Sequence, residues 1–308
     1  MPATAKPGSV RPAWIAADWG TTNLRLWAMD SDDQPLASVS SPDGMSSIAN
    51  GQYEQALLKG IEPWLVSGEV TPVFACGMVG ARQGWIEVIY TPVPCAPTDA
   101  SRIQLAPTQD PRIRMLIIGG LCQPDPADVM RGEETQVAGW LLENPDFDGL
   151  LCMPGTHTKW VEVSAGHIQS FKTWMTGELY GLLATQSVLK HSVRSDELDG
   201  VVFASTVRQV ISGAHSFAEL FSVRATDLLH DASPQASRAR LSGLLIGAEI
   251  NAMCGNTNKK PVVLLGASGV VELYHEALGI IGAQVHLADA TRLTLAGLTA
   301  VRLASPSA

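Results

Sequence analysis

The sequence has few of the features that mark secreted, membrane or zinc-binding proteins. Its 308 residues include only five cysteines, which are widely spaced and form no Cys-x-x-Cys pair. That pattern indicates neither a disulfide framework nor a zinc site. No apolar stretch near the N-terminus resembles a signal peptide, and no uncharged apolar run reaches the roughly 18 residues of a membrane span. We therefore expect a cytoplasmic protein without membrane partners.

Positive charge is also scarce. The chain carries 21 Lys and Arg against 30 Asp and Glu, for a net charge of −9, and the basic residues form no cluster. Because a nucleic-acid surface needs clustered Lys and Arg, this balance argues against a nucleic-acid partner. The predicted partners are small molecules.

The common nucleotide and hydrolase motifs are missing as well. No lysine follows a glycine, so there is no Walker A loop, and no Gly-x-Gly occurs, which excludes the usual dinucleotide fingerprint. His-Glu-x-x-His and Gly-x-Ser-x-Gly are absent too. A nucleotide site in this chain would need a different construction.

The apolar pattern predicts an α/β protein of two domains, which implies a cleft. A length of 308 residues exceeds the ~100–200 of a single domain, and a series of three short strands occurs twice. The predicted strands lie at 14–17, 23–30 and 36–41, and again at 150–153, 159–163 and 168–173. Helical patterns follow at 130–143, 178–189 and 241–253. We place the domains at 1–144 and 145–308, with a last helix at about 290–303 that packs back on the first.

Two tight turns sit at comparable places in the two series, Asp18–Thr22 and Pro154–Thr158. Glycine lets backbone N–H groups approach an anion, threonine hydroxyls add donors, and an aspartate beside such a turn can hold Mg²⁺ through water. Either turn alone is more simply a hairpin loop, but the matched pair favours phosphate binding. The predicted phosphate ligands are Gly20, Thr21, Thr22, Gly155, Thr156 and His157, with Asp18 as the magnesium ligand. A lone loop histidine such as His157 is more often an ordinary polar residue.

An acidic pair opens the helix between the two turns. Within Arg131–Gln136, a carboxylate could accept the proton of an attacking hydroxyl, and we expect Glu133 to do so, with Glu134 as the alternative. Acidic residues in a first helical turn are also common for electrostatic reasons alone.

Two further segments suggest ligand contacts. Gly266, Ala267 and Ser268 follow a buried strand, where an adenosine could lie against the backbone. In the segment Gly77–Trp85, Arg82 could pair with a carboxylate and Trp85 could stack on a sugar. Further substrate candidates are Trp19 and Arg25, and both Arg25 and Arg131 compete with Arg82 for the carboxylate.

The order of phosphate turn, acidic helix, second phosphate turn and glycine-rich turn resembles the superfamily of sugar kinases, hexokinases, actin and heat-shock ATPases. More narrowly, five motifs along nearly the whole chain look like those of the 2-dehydro-3-deoxygalactonokinase family. They are Asp18–Arg25, Gly77–Gly80, Arg131–Gln136, Pro154–Trp160 and Thr176–Tyr180.

The resemblance implies two ribonuclease H-like (actin-like ATPase) domains flanking an interdomain cleft. It also implies transfer of the ATP γ-phosphoryl group, with Mg²⁺, to the C6 hydroxyl of 2-dehydro-3-deoxy-D-galactonate in galactonate catabolism. Related sugar kinases usually carry Asp where this chain has Glu133. Three alternatives stay open: a phosphohydrolase similar to exopolyphosphatases, a kinase for another sugar acid, and an actin-like assembly protein. The sequence does not fix the oligomeric state, and a homodimer is compatible with it.

Overall fold

The structure, a computed structural model, describes residues 10–49, 51–213, 217–254, 260–266 and 269–305. These residues fall into two compact units. The first contains the chain up to Phe147, the segment Ala165–Ser170 and the chain from Ala290 onward, and the second contains Asp148–Ser164 and Phe171–Asp289.

The chain contains both strands and helices, and helices lie between parallel strands in both sheets, which is typical of the α/β class. The strands are β1 (Trp14–Trp19), β2 (Leu24–Met29), β3 (Pro35–Ser41), β4 (Thr71–Gly77), β5 (Thr91–Pro92), β6 (Ile103–Leu105), β7 (Ile113–Ile118), β8 (Leu121–Gln123), β9 (Asp128–Met130), β10 (Gly149–Met153), β11 (Thr158–Ser164), β12 (His167–Trp174), β13 (Val262–Leu265) and β14 (Val285–Ala288). The helices are α1 (Tyr53–Ile61), α2 (Glu133–Glu143), α3 (Thr176–Gln186), α4 (Gly200–Ile211), α5 (Leu220–His230), α6 (Pro234–Cys254), α7 (Val270–Ile280) and α8 (Ala290–Leu303).

The central sheet of the first unit has the strand order β3-β2-β1-β4-β7-β6. Strands β1 and β2 pair antiparallel, whereas β1, β4 and β7 run parallel to one another. Because side chains alternate across a strand, β1 contributes to two cores. Ile15 and Trp19 pack with Leu57 on the α1 side, and Ala16 packs with Leu298 of α8 on the other. The carboxyl ends of β1 and β4 thus lie side by side at one edge.

Helices α2 and α8 pack closely because each has a glycine at the crossing. A Cβ built on Gly297 would lie 1.8 Å from the carbonyl oxygen of Thr135, and one on Gly139 would lie 2.1 Å from that of Leu293. A side chain at either position would therefore push the two backbones apart. The contact fixes α2, and with it the pair Glu133 and Glu134, against the rest of the first unit.

The second unit repeats this arrangement. Its sheet has the order β12-β11-β10-β13-β14, in which β10 pairs antiparallel with β11 and parallel with β13. The buried side chains of β10 and β13 pack with Phe203 of α4, Ile250 of α6 and Tyr274 of α7. The carboxyl ends of β10 and β13 are again neighbours, and the segment Pro154–His157 follows the first of them.

The predicted α/β class and the repeated strand series are confirmed, since both sheets have the ribonuclease H-like order of a meander followed by parallel strands. Two expectations were incomplete. The helix prediction missed α4 and α5, and the strand prediction missed the short strands β5, β6, β8 and β9.

Candidate functional site

Asp18 lies near the carboxyl end of β1 and faces Arg25 on β2. The two residues are register partners, and Oδ2 of Asp18 is 3.6 Å from Nη1 of Arg25. Burial raises the pKa of the Asp18 carboxyl, and the nearby guanidinium opposes that rise in part. The carboxylate is still 24% exposed, so a ligand can reach it.

The first turn, which contains Gly20, Thr21 and Thr22, has a fixed backbone. The N–H of Gly20 donates to the carbonyl of Asn23 at 2.9 Å, and the carbonyl of Thr21 accepts the N–H of Ser46 at 2.9 Å. Gly44 packs so close that a Cβ there would lie 2.2 Å from the Thr22 backbone. Both threonines are exposed, which leaves their hydroxyls at the surface where they could donate to an anion.

Two glycines bring the start of α2 to the edge that carries Asp18. Gly77 ends β4 with φ of 91°, and a Cβ on it would lie 2.6 Å from the carbonyl oxygen of Trp19. Gly132, the residue before α2, has φ of 110°, and its Cβ would lie 3.2 Å from Cα of Gly77. Because L-residues rarely adopt these angles, glycine is required at both positions. The ends of β1 and β4 and the start of α2 therefore meet.

The adjacent carboxylates Glu133 and Glu134 have different surroundings. Glu133 is partly buried, and its Oε2 accepts the backbone N–H of Arg131 at 3.0 Å. Glu134 is fully buried, and its Oε2 accepts the backbone N–H of Gly132 at 2.7 Å. Burial raises the pKa of Glu134 to about 7, with Arg102 opposing the rise and Glu133 adding to it. Only Glu133 of the pair is accessible to a substrate.

Arg82 and Trp85 lie in the first unit and line a cavity of about 510 Å³ together with Tyr53 and Gln109. The rings of Tyr53 and Trp85 are stacked with centroids 6.4 Å apart, and Trp19 meets Trp85 edge-on at 6.3 Å. Trp19 itself is completely buried, so it supports the aromatic wall and does not present a surface of its own.

The three candidate arginines have different environments. Arg82 is exposed. Arg25 faces Asp18. Arg131 is buried, its guanidinium carbon lies 4.3 Å from the centroid of the Tyr90 ring, and Nη2 donates to the carbonyl of Val88 at 2.8 Å. Of the three, Arg82 is the one that lines the cavity.

The second turn is held by the start of α3. The N–H of Glu178 donates to the carbonyl of Thr156 at 3.0 Å, and Oε2 of Glu178 is 2.6 Å from Nε2 of His157. A Cβ on Gly177 would lie 2.2 Å from the carbonyl oxygen of Gly155. Gly155, by contrast, has no atom within 4 Å of its own Cβ position, so the outer face of the turn is open.

A cavity of about 550 Å³ lies beside this turn within the second unit. It is large enough for an adenosine. Its walls come from the second turn, α3, α6 and the start of α7, and include Gly155, Thr176, Gly177, Tyr180, Arg238, Ser242 and Gly269. The guanidinium carbon of Arg238 lies 5.7 Å from the centroid of the Tyr180 ring.

Only part of the predicted adenosine turn lies among the described residues. Gly266 follows β13 with φ of 150°, and Gly269, at the other end of the turn, lines the cavity. Ala267 and Ser268 lie outside the described residues. Tyr180, Arg238 and Ser242, which also line the cavity, were not predicted from the sequence. Tyr180 closes one of the family-like motifs, whereas Arg238 lies on a long helix with no local signal.

A magnesium ion would fit at Asp18. In the described part of the chain, no group of three or more His, Cys, Asp or Glu side chains could hold a metal ion. Mg²⁺, however, is commonly held by one or two carboxylates together with waters and substrate phosphates. A single accessible carboxylate beside a turn with exposed threonine hydroxyls matches that donor set.

Among the described residues, no helix has both the length and the apolar character needed to cross a bilayer.

Comparison with known proteins gives consistent relatives. The model of the 2-keto-3-deoxy-galactonokinase family matches residues 18–301. A probable 2-dehydro-3-deoxygalactonokinase of Rhizobium meliloti (strain 1021) is 38% identical over 295 residues, which cover 93% of this chain and 95% of that protein. The 2-dehydro-3-deoxygalactonokinase of Escherichia coli (strain K12) is 34% identical over 276 residues, covering 88% and 91% respectively.

A solved structure agrees with these sequences. The crystal structure of a candidate 2-dehydro-3-deoxygalactonokinase from Sinorhizobium meliloti superimposes with a TM-score of 0.88 at 36% identity. The superposition covers 96% of this chain and 100% of the other.

Proposed function

The chain belongs to the 2-keto-3-deoxy-galactonokinase family, and from that premise we propose that it phosphorylates 2-dehydro-3-deoxy-D-galactonate at the C6 hydroxyl. Membership of a kinase family implies the use of ATP. The products would be the 6-phosphate of the sugar acid and ADP, and the reaction would serve galactonate catabolism. The observation that carries the proposal is the meeting of β1, β4 and α2, which brings Asp18 and the accessible Glu133 to one edge of a sheet.

Glu133 would act as the general base. Its carboxylate would accept the proton of the C6 hydroxyl as that oxygen bonds to the γ-phosphorus and the bond to ADP breaks. The backbone N–H of Arg131 already donates to Oε2 of Glu133 at 3.0 Å, which fixes the direction of the side chain. Glu134 is less suited to this role because it is fully buried.

Asp18 would hold Mg²⁺, in part through water. When bound, the ion would neutralise charge on the phosphates. The exposed hydroxyls of Thr21 and Thr22, and the donors of Gly155, Thr156 and His157, would bind phosphate oxygens. The cavity beside the second turn would take the adenosine, with Gly266, Ala267 and Ser268 following β13 along the chain.

Arg82 would pair with the carboxylate of the sugar acid. Its guanidinium is exposed and lines the same cavity as Trp85, so a bound acid could use both a bidentate ion pair and an aromatic wall. Arg25 and Arg131 are less suited, because each already has a partner in the first unit.

The setting of the enzyme would be the reducing cytoplasm. All five cysteines are free, and two of them, Cys76 and Cys152, are buried. Free thiols are stable in a reducing compartment, which supports the proposal.

The test is ADP release by the purified protein with and without 2-dehydro-3-deoxy-D-galactonate, with its C4 epimer derived from gluconate as the matched control acid. We expect ADP release that requires the acid and is faster with the galactonate-derived epimer. Equal release with no acid would indicate a phosphohydrolase, and preference for the other epimer would indicate a kinase for a different sugar acid.

A further inference from the structure

We propose that Glu249, a buried carboxylate on α6, is a positioning residue that holds the second phosphate turn in its nucleotide-binding shape. The inference rests on the function proposed above. Glu249 is completely buried and lies in the second unit, and no role has been assigned to it above. Burying a carboxylate is costly unless hydrogen bonds compensate, so its partners indicate what it does.

Three side chains donate to Glu249. Nε1 of Trp160 is 2.7 Å from Oε1, the hydroxyl of Tyr274 is 2.8 Å from Oε2, and the Thr176 hydroxyl also donates to Oε2. The donors come from β11, α7 and α3, respectively. One carboxylate therefore joins β11, whose first residue ends the second turn, to two helices that line the proposed nucleotide cavity.

Two routes lead from Glu249 to the turn. In the first, the Tyr274 hydroxyl that donates to Glu249 is also 3.1 Å from Oγ1 of Thr158, the last residue of the turn. Since Tyr274 gives its proton to Glu249, it can accept one from Thr158. A change at Glu249 would thus release the end of the turn.

The second route runs through the first residues of α3. Thr176 donates to Glu249, and the next residue, Gly177, packs so closely on the carbonyl of Gly155 that a Cβ would lie 2.2 Å from it. The N–H of Glu178 then donates to the carbonyl of Thr156. Fixing the start of α3 therefore fixes the middle of the turn.

The chemistry of the network predicts which substitutions it tolerates. A glutamine at 249 could turn its oxygen toward the indole N–H of Trp160 and its NH₂ toward the hydroxyls of Thr176 and Tyr274, which can reverse their roles. A leucine there would fill space but remove the acceptor of the Trp160 indole N–H and the Thr176 hydroxyl, and would leave the Tyr274 hydroxyl with Thr158 as its one remaining partner here. Glu249→Gln should therefore rescue what Glu249→Leu loses.

The experiment compares Glu249→Gln, Glu249→Leu and Tyr274→Phe with wild type by steady-state kinetics, calorimetric binding of ATP in the absence of the sugar acid, and thermal melting. For Glu249→Leu we expect KM for ATP and the ATP dissociation constant to rise by roughly 10-fold or more, the loss typical of a hydrogen bond to a charged group. KM for the sugar acid should stay within about twofold of wild type, as expected when only one substrate's binding changes. Glu249→Gln should stay near wild type in its KM for ATP, its ATP dissociation constant and its KM for the sugar acid.

Thr206→Val is the matched control. Thr206 is equally buried in the second unit, but its hydroxyl donates within α4 to the carbonyl of Val202. The variant should melt at a lower temperature and keep its affinity for ATP. Tyr274→Phe, which loses a single hydroxyl, gives a second test if Glu249→Leu fails to fold.

The proposal is overturned if Glu249→Leu or Tyr274→Phe lowers the melting temperature as Thr206→Val does while ATP binding is unchanged. It is also overturned if KM for both substrates rises equally. Failure of the proposed function would look different, because wild type itself would then release no ADP in response to the acid, while the calorimetric comparison would still report on the turn.

Discussion

Asp18 and Arg25 face each other across β1 and β2, with Oδ2 of the carboxylate 3.6 Å from Nη1 of the guanidinium. Arg25 was expected among the substrate contacts. That expectation stays a prediction. Arg25 also sets the charge around the proposed magnesium ligand, because its guanidinium opposes the rise in pKa that burial imposes on Asp18.

Asp18→Asn should abolish most activity, because an amide oxygen is a much weaker magnesium ligand than a carboxylate. We expect kcat to fall by roughly 100-fold or more, the scale of losing one electrostatic contact to the transition state. Kinetics over a range of Mg²⁺ concentrations would measure it. Asp32→Asn, in an exposed turn of the same unit, is the control. Near-normal activity of Asp18→Asn at low Mg²⁺ would argue against the assignment.

Glu133→Gln and Glu134→Gln should behave differently, although the residues are neighbours. In Glu133→Gln, loss of the general base should lower kcat by ~10²–10⁴-fold, while the affinity for ATP stays unchanged. Glutamine at 134 can still accept the N–H of Gly132, so that variant should keep most of its activity. Rate measurements at saturating substrates decide between them. The opposite order would transfer the role of the base to Glu134.

The buried Glu134 predicts how stability depends on pH. Its pKa in the folded protein, about 7, lies above the ordinary 4.5, so the folded state holds the proton more tightly than the unfolded state does. The contribution of Glu134 to the free energy of unfolding is therefore complete below pH 4.5. It is lost as pH rises through about 7, at up to ~1.4 kcal/mol per pH unit. The charged groups that act on the Glu134 carboxyl are Arg102 and Glu133, and the backbone N–H of Gly132 also donates to it.

Thermal melting between pH 5 and pH 8 tests whether the stability falls as pH rises. Wild type should lose more stability over that range than Glu134→Gln, which has no proton to release. An equal loss in the two proteins would show that Glu134 is not the group responsible.

Arg82→Gln should raise KM for the sugar acid by roughly 10-fold or more and leave the melting temperature unchanged, because an exposed guanidinium contributes little to folding. Arg131→Gln provides the contrast, since the loss of a buried side chain stacked on Tyr90 should lower the melting temperature instead. Parallel kinetics and melting would separate the two. A KM effect confined to Arg131→Gln would assign the carboxylate to that residue.

Strand patterns predicted more of the fold than of the site. The strands of both meanders follow from short apolar runs, and the predicted last helix at about 290–303 corresponds to α8. Helix α4 was missed although Asp199 caps it and Phe203, Val207 and Val210 recur on its buried face. That signal was present in the sequence. The short strands β8 and β9 carry no such signal, because three residues cannot show a period.

Some residues of the candidate site could be predicted from local sequence patterns, and others could not. Glycine-rich turns and the acidic helix start are local features, so Asp18 and Glu133 could be named from the sequence. Arg238 and Ser242 contribute to the nucleotide cavity only because α6 packs beside α3. Glu249 likewise meets its three donors through tertiary packing. Such contacts join residues far apart in the chain and have no local pattern.

The most direct test of the proposed reaction is ³¹P nuclear magnetic resonance of the product formed from ATP, Mg²⁺ and 2-dehydro-3-deoxy-D-galactonate. Transfer to C6 predicts ADP and a phosphate monoester whose phosphorus couples to the two protons of the C6 methylene group. Inorganic phosphate as the sole new product, or a phosphorus coupled to a single methine proton, would contradict the proposal.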